Sequence, residues 1–94
     1  MIIRIVKMTF REDSSETFKE FTTSIKGTIK SFDGCLHLDM LRDINNSNVF
    51  FSYSHWVSED HLNRYRNSEF FKATWLKTKQ WFDAKPDAWS VEKL

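Results

Sequence analysis

Two histidines, an aspartate and a tyrosine lie in neighbouring segments of the chain, His37 with Asp39 and Tyr53 with His55. If these segments pair as a hairpin centred on Asn46, His37 sits opposite His55. Strand side chains alternate between faces. His37, Asp39, Phe51, Tyr53 and His55 then share one face, with Leu36, Leu38, Met40, Phe50 and Trp56 on the other. Two imidazoles, a carboxylate and a phenol can exchange protons, because an imidazole titrates close to neutrality. A slip of one residue would separate the two strands' sets. The same four groups would serve equally as a hydrogen-bonded patch at a subunit interface. Zinc or iron could use two histidines and an aspartate, but no ligand-spacing motif accompanies them, and no metal site is expected.

A second group is aromatic. Trp56 closes one segment, and Tyr65, Arg66, Phe71 and Trp75 follow within twenty residues. Aromatics make up 16% of the chain, enough both to fill a core and to wall a cleft for a flat ligand or a subunit interface. Tyr65 could orient a ligand through its hydroxyl, and Arg66 could hold an anion. The competing reading is plain packing for Tyr65, Phe71, Trp75 and Trp81, and a solvated helix end for Arg66. His61, beside Asp60, reads as solvent-facing. Lys72, Lys77 and Lys79 read as a solvated helix face.

The elements that must position these residues are legible. Ile2 to Thr9 is rich in β-branched residues and predicts a strand. Asp13 or Ser14 can cap a helix running from Ser15 to about Phe32, whose stripe is Phe18, Phe21, Ile25, Ile29 and Phe32. Gly27 inside it weakens the helix by about 1 kcal/mol relative to alanine, or lets a neighbour approach. Gly34 can end the element in the left-handed conformation. Cys35 to Asp43 and Asn48 to Trp56 predict two strands of a hairpin. Ser58 can cap a short helix through Arg66. Asn67 or Ser68 restarts a longer helix to about Phe82. Pro86 cannot donate to a sheet ladder, so the last strand starts after it, near Ala88 to Val91.

The order βαββαβ is the ferredoxin-like α+β plan, a four-stranded antiparallel sheet with both helices on one face. Its other face still carries apolar residues, and a second copy of the chain is the simplest cover, giving a homodimer. Ninety-four residues make one domain, 1–94. The net charge is +1 with no basic block, so no nucleic-acid partner is expected. Cys35 is the single cysteine, which excludes an intrachain disulfide and fits a reducing compartment. The N-terminal MIIRIVKMTF is interrupted by Arg4 and Lys7, so neither signal peptide nor membrane span is expected, and a cytoplasmic protein is.

Several of these residues also carry a resemblance. Phe32-Asp33-Gly34, Tyr53, Trp56, Ser58, Leu62, Tyr65, Ser68, Phe71 and Trp89 resemble the antibiotic biosynthesis monooxygenase-like family of dimeric α+β barrels, over nearly the whole length. The family includes oxygenases that need no metal or flavin, quinol oxidases, haem degraders and members without demonstrated activity. The resemblance therefore implies a cofactor-independent monooxygenase acting on a small aromatic, a phenol or a quinol. There the substrate, once deprotonated, supplies electrons to oxygen, while the protein takes a proton, holds a flat ring and excludes water. No cofactor is expected on this reading. His55 or His37 would be the base if either points into a pocket between sheet and helices. Trp56, Tyr65, Arg66, Phe71, Trp75 and Tyr53 would bind the substrate. His55 stands where the family usually has an acid, and Tyr65 where it often has a histidine. The alternative is a non-catalytic small-ligand-binding or stress-response module using the same cleft. Haem degradation is the weaker reading, since the histidine that ligates haem iron in that branch corresponds to Trp75, which cannot ligate iron.

Overall fold

The β-branched and aromatic runs give the first and third strands, the alternation of Leu36, Leu38 and Met40 marks the second, and the chain turns where glycine, asparagine and serine gather. A computed structural model describes the whole chain, Met1–Leu94. In order it contains β1 (Ile2–Thr9), α1 (Ser15–Lys30), β2 (Cys35–Arg42), β3 (Val49–Trp56), α2 (Glu59–Arg66), α3 (Glu69–Lys79) and β4 (Asp87–Val91), with one 3-10 turn at Glu12–Ser14 before α1. The sheet order is β2-β3-β1-β4, and every neighbouring pair is antiparallel. This is the ferredoxin-like α+β fold.

Local chemistry sets the helix ends. The Ser58 hydroxyl accepts the backbone N–H of His61, and the Ser68 hydroxyl accepts that of Phe71, so each removes an orphan donor from its helix. Position Ser14 precedes α1 but does not cap it with its side chain. Its hydroxyl instead donates to Asp13 and accepts from Arg11, at 3.3 and 3.1 Å, because the 3-10 turn has already used that stretch of backbone. Helix α3 stops at Lys79 rather than near Phe82. Phe82 leaves the helix to form a bridge with Phe10, and the Asp83 N–H binds the Thr9 carbonyl.

Gly34 adopts φ 84°, and a Cβ there would fall 2.4 Å from the ring of His61. Both facts demand glycine. They also revise the reading of His61, which is not solvent-facing. Its Nδ1 lies 2.7 Å from the Ser58 hydroxyl, and its ring covers Gly34. Nothing approaches Gly27 within 4 Å, so that glycine serves no close contact.

The core lies between the helices and the sheet. Phe10, Phe18, Phe50 and Met8 are buried together, with Val6, Phe21, Met40, Trp75, Trp81 and Phe82 packed around them. Phe10 stacks on Phe18 at 4.1 Å between ring centroids, and Phe50 meets both edge-on. Offset and edge-to-face pairs of this kind contribute about 0.5–1.5 kcal/mol each beyond their burial.

The hairpin register places His37 opposite His55 and Asp39 opposite Tyr53. A register shift between Cys35 and His37 takes Leu36 out of the alternation, and Leu36 is exposed rather than packed with Leu38. The sheet face away from the helices has no cover within the chain. Trp89, Val91 and Leu41 are exposed among the residues that share it.

Candidate functional site

The alternation of the strands divides the expected site residues between the two faces of the sheet. Trp56 shares the helix-side face with Ser54, Ser52 and Phe50 on β3, with Leu38 and Met40 on β2, and with Arg4, Val6 and Met8 on β1. His37, Asp39, Tyr53 and His55 point the other way. None of these four lines the cleft described below, so the expectation that a histidine reaches into it, and that Tyr53 binds there, is not met within this subunit. The reason is the two-residue period of the strand. Trp56 and His55 are consecutive and must face opposite sides.

The four residues do gather on the open face. His37 Nε2 lies 2.6 Å from Asp39 Oδ2. The His37 and His55 ring centroids are 5.2 Å apart, and Tyr53 lies 5.0 Å from His55. His55 Nε2 is shielded from solvent without a hydrogen-bond partner. No group of three His, Cys, Asp or Glu side chains in the molecule, this one included, is arranged to hold a metal ion.

The cleft lies on the opposite side, between the sheet and the three helices, with a volume of about 260 Å³. That is just under the roughly 300–1,000 Å³ of ordinary small-molecule sites, and suits a ligand of one or two rings. Its floor is the sheet, from Arg4, Val6, Ser52, Ser54 and Leu38. Phe18, Thr22, Ile25 and Ile29 of α1 form one wall, and Leu62, Tyr65, Arg66, Phe71, Thr74, Trp75 and Thr78 of α2 and α3 form the other.

The aromatic wall is tightly organised. Trp56 is 1% exposed and its indole N–H donates to the Ser54 hydroxyl at 2.9 Å, which satisfies the one polar atom of that buried ring. Tyr65 stacks on Trp56 at 5.0 Å and is met edge-on by Phe32 and Phe71. Phe71 in turn stacks parallel to Trp75 at 5.9 Å. These side chains share the wall because Tyr65 lies in the last turn of α2, whereas Phe71 and Trp75 are four residues apart on α3. Burial pushes the Tyr65 phenol well above its ordinary range, with the nearby Cys35 thiol adding to the effect. Tyr65 therefore keeps its proton and serves as a hydrogen-bond donor, not a base. Cys35 is itself raised by burial, so it is not an activated thiolate.

Arg4 is the residue that the sequence reading missed. It stands in a run of otherwise apolar helix-side positions on β1, Ile2, Val6 and Met8. A lone charge in the apolar phase of a strand was the available signal. Its guanidinium donates to the Ser90 hydroxyl at 3.0 Å. Burial, and then repulsion from Arg66, lower its pKa from the ordinary arginine value. Among the cleft residues there is no aspartate, glutamate, histidine or cysteine. The remaining ligand types are Met8, Met40 and a Tyr65 held protonated by burial, a donor set that does not fit a bound metal, and Trp75 occupies the wall.

The sequence matches the family model described as antibiotic biosynthesis monooxygenase over residues 1–75. The chain belongs to that family. No curated protein matches it. Among solved structures it is similar to an antibiotic biosynthesis monooxygenase at 12% identity, covering 100% of this chain and 99% of that one, with a TM-score of 0.93. It is similar to a conserved protein from Methanosarcina mazei at 18% identity, covering 100% and 94%, with a TM-score of 0.91. It is also similar to PA3566 from Pseudomonas aeruginosa at 18% identity, covering 99% and 93%, with a TM-score of 0.87. At these identities the likeness concerns the fold. No helix is long and apolar enough to cross a membrane.

Proposed function

We propose that this member of the antibiotic biosynthesis monooxygenase family oxidises a small phenol or quinol in the cleft between its sheet and helices. The observation that carries this reading is the continuous aromatic wall of Trp56, Tyr65, Phe71 and Trp75 facing a cavity of about 260 Å³. A flat ring slides between such side chains with offset stacking. An electron-rich ring can itself supply the electrons that reduce oxygen, one oxygen atom entering the substrate and the other leaving as water. The protein's share is to hold the ring, exclude water and keep the reacting ion in place. Tyr65, held protonated by burial, donates a hydrogen bond to a substrate oxygen.

A homodimer completes this reading. The open sheet face carries Ile5, Phe51, Tyr53 and His55 on the central strands and exposed Trp89 and Val91 at the edge. A surface of this kind is covered most simply by its own copy. His37, Asp39, Tyr53 and His55 then belong to the subunit contact and not to the chemistry.

The test is oxygen uptake with a panel of hydroquinones and polyphenols. Uptake that is lost in Trp75→Ala and retained in His55→Ala supports oxidation in the cleft. Loss in His55→Ala with full activity in Trp75→Ala overturns it. One observation favours a second reading, a binding module without turnover: the cleft contains no general base among its lining residues. Saturable binding of the same compounds without oxygen uptake would establish that alternative.

A further inference from the structure

Two cations and no acid line the largely apolar cleft. Arg4 enters from the sheet floor and Arg66 from the end of α2. The two guanidiniums are close enough to repel one another. Neither forms an ion pair with a carboxylate, although three other arginine–carboxylate contacts are present in the chain. Arg66, the last residue of α2, makes no ion pair with Glu69 at the start of α3, and Arg4 uses one nitrogen on Ser90, leaving the rest of its fork unspent. Like charges lining one cleft raise the energy of the empty cleft. An exposed arginine at a helix end is commonly only solvated. A second arginine facing it across a cleft whose lining lacks any acid is not explained that way.

We propose that the cleft binds its aromatic ligand as an anion, with the ionised oxygen of a phenol or quinol resting between the Arg4 and Arg66 guanidiniums and the ring against Trp56, Tyr65, Phe71 and Trp75. This rests on the cleft assigned above and adds the charge state of its ligand. It also answers how a cleft without a base obtains the reactive form. A phenol beside two fixed positive charges ionises at lower pH, because opposite charge favours the charged form. The proton leaves to water during binding, and no protein base is required. Guanidinium suits the task, since it keeps its charge and offers several N–H donors in a planar fork. Tyr65 adds a third donor. The fixed charges are in place before the ligand arrives, so stabilising the anion needs little reorganisation.

The probe is 4-nitrophenol, whose phenolate has its own absorbance band, with 4-nitroanisole as the neutral isostere. Binding is followed by quenching of the cleft tryptophans, and ionisation by the phenolate band across a pH series. The expected results are at least about tenfold tighter binding of the phenolate than of the ether, the ratio of one charge-assisted hydrogen bond, and a bound ionisation shifted roughly one unit or more toward acid. Arg4→Gln with Arg66→Gln abolishes both effects while the far-ultraviolet circular dichroism stays unchanged, and Arg66→Lys retains most of the acid shift. Three results overturn the proposal: equal affinity for phenolate and ether, an acid shift that survives in the double variant, or no binding of 4-nitrophenol at millimolar concentration. These outcomes are separate from turnover. Phenolate selectivity with no oxygen uptake from any quinol would retain the anion site and remove the oxygenase reading.

Discussion

The two faces of the sheet come from the same strands and have opposite chemistry. Trp56 and Trp89 show the contrast with one residue type. Trp56 faces the helices, is 1% exposed, and has its indole N–H satisfied by Ser54. Trp89 belongs to the open face and is 47% exposed. The helix-side face carries two cations and no acid around its cleft. The open face carries His37 bonded to Asp39, with the His55 ring beside them. The difference teaches that a cluster of chemically capable side chains is not the same thing as a site. The imidazoles have company but no cavity. The arginines have a cavity and lack an acidic partner.

The largest test of that contrast is a matched pair of substitutions. Trp56→Ala removes a fully packed ring and its hydrogen bond, and should cost about 3–5 kcal/mol in urea unfolding. Trp89→Ala should cost under ~1 kcal/mol in dilute solution, where the open face is bare. Its cost should grow with protein concentration if that face pairs with a second copy. Equal costs for the two at every concentration would erase the distinction between the faces.

Gly34→Ala tests the turn that delivers β2 to the sheet. The positive φ and the clash with His61 together predict a loss of about 1–3 kcal/mol, read as a lowered denaturation midpoint. His61→Ala in the same background should recover part of it, because the steric share disappears and the backbone share does not.

The next test uses pH and the cleft side alone. The folded-state pKa of Tyr65 is raised above its ordinary value of 10.0. Below pH 10 the phenol is protonated in both states and its contribution is constant. Above it, the unfolded chain ionises first, so stability falls as pH rises, by up to about 1.4 kcal/mol per unit until the folded phenol also ionises. Tyr65→Phe should flatten that alkaline decline in denaturation curves taken above pH 10. Tyr53→Phe, on the other face, should leave it unchanged.

The smallest effect belongs to the His37–Asp39 pair. Both side chains are about half exposed, so Asp39→Asn should change stability by less than ~1 kcal/mol. A larger loss that appears only at high protein concentration would place this pair in a subunit contact.

Much of this was legible from residue order. The β-branched run at Ile2–Thr9 and the hairpin about Asn46 were readable because strand propensity and alternation are local properties, and the same alternation paired His37 with His55. Ser58 and Ser68 announced their helices by sitting one residue ahead of acidic first turns. The end of α3 was misjudged because Phe82 continues the helical stripe in spacing, while its actual partner, Phe10, lies over seventy residues away. His61 looked solvated for a similar reason. Its neighbour Asp60 is visible in the sequence, whereas the space above Gly34 that it fills is not. Arg4 was overlooked inside a run whose apolar phase was otherwise clear.

Residue order by itself determined the element sequence, the hairpin register, the need for glycine at position 34, and the family. These depend on backbone preference and on periods of two and of three to four residues, which any stretch of the chain expresses alone. Tertiary structure decided which face of the sheet received the helices, and with it that Arg4 and Arg66 would meet across an aromatic cleft while His37 and His55 would lie outside it. Alternation sorts side chains into two sets but carries no label for inside. That label comes only from where the crossover helices pack, which is a property of contacts between segments distant in the chain.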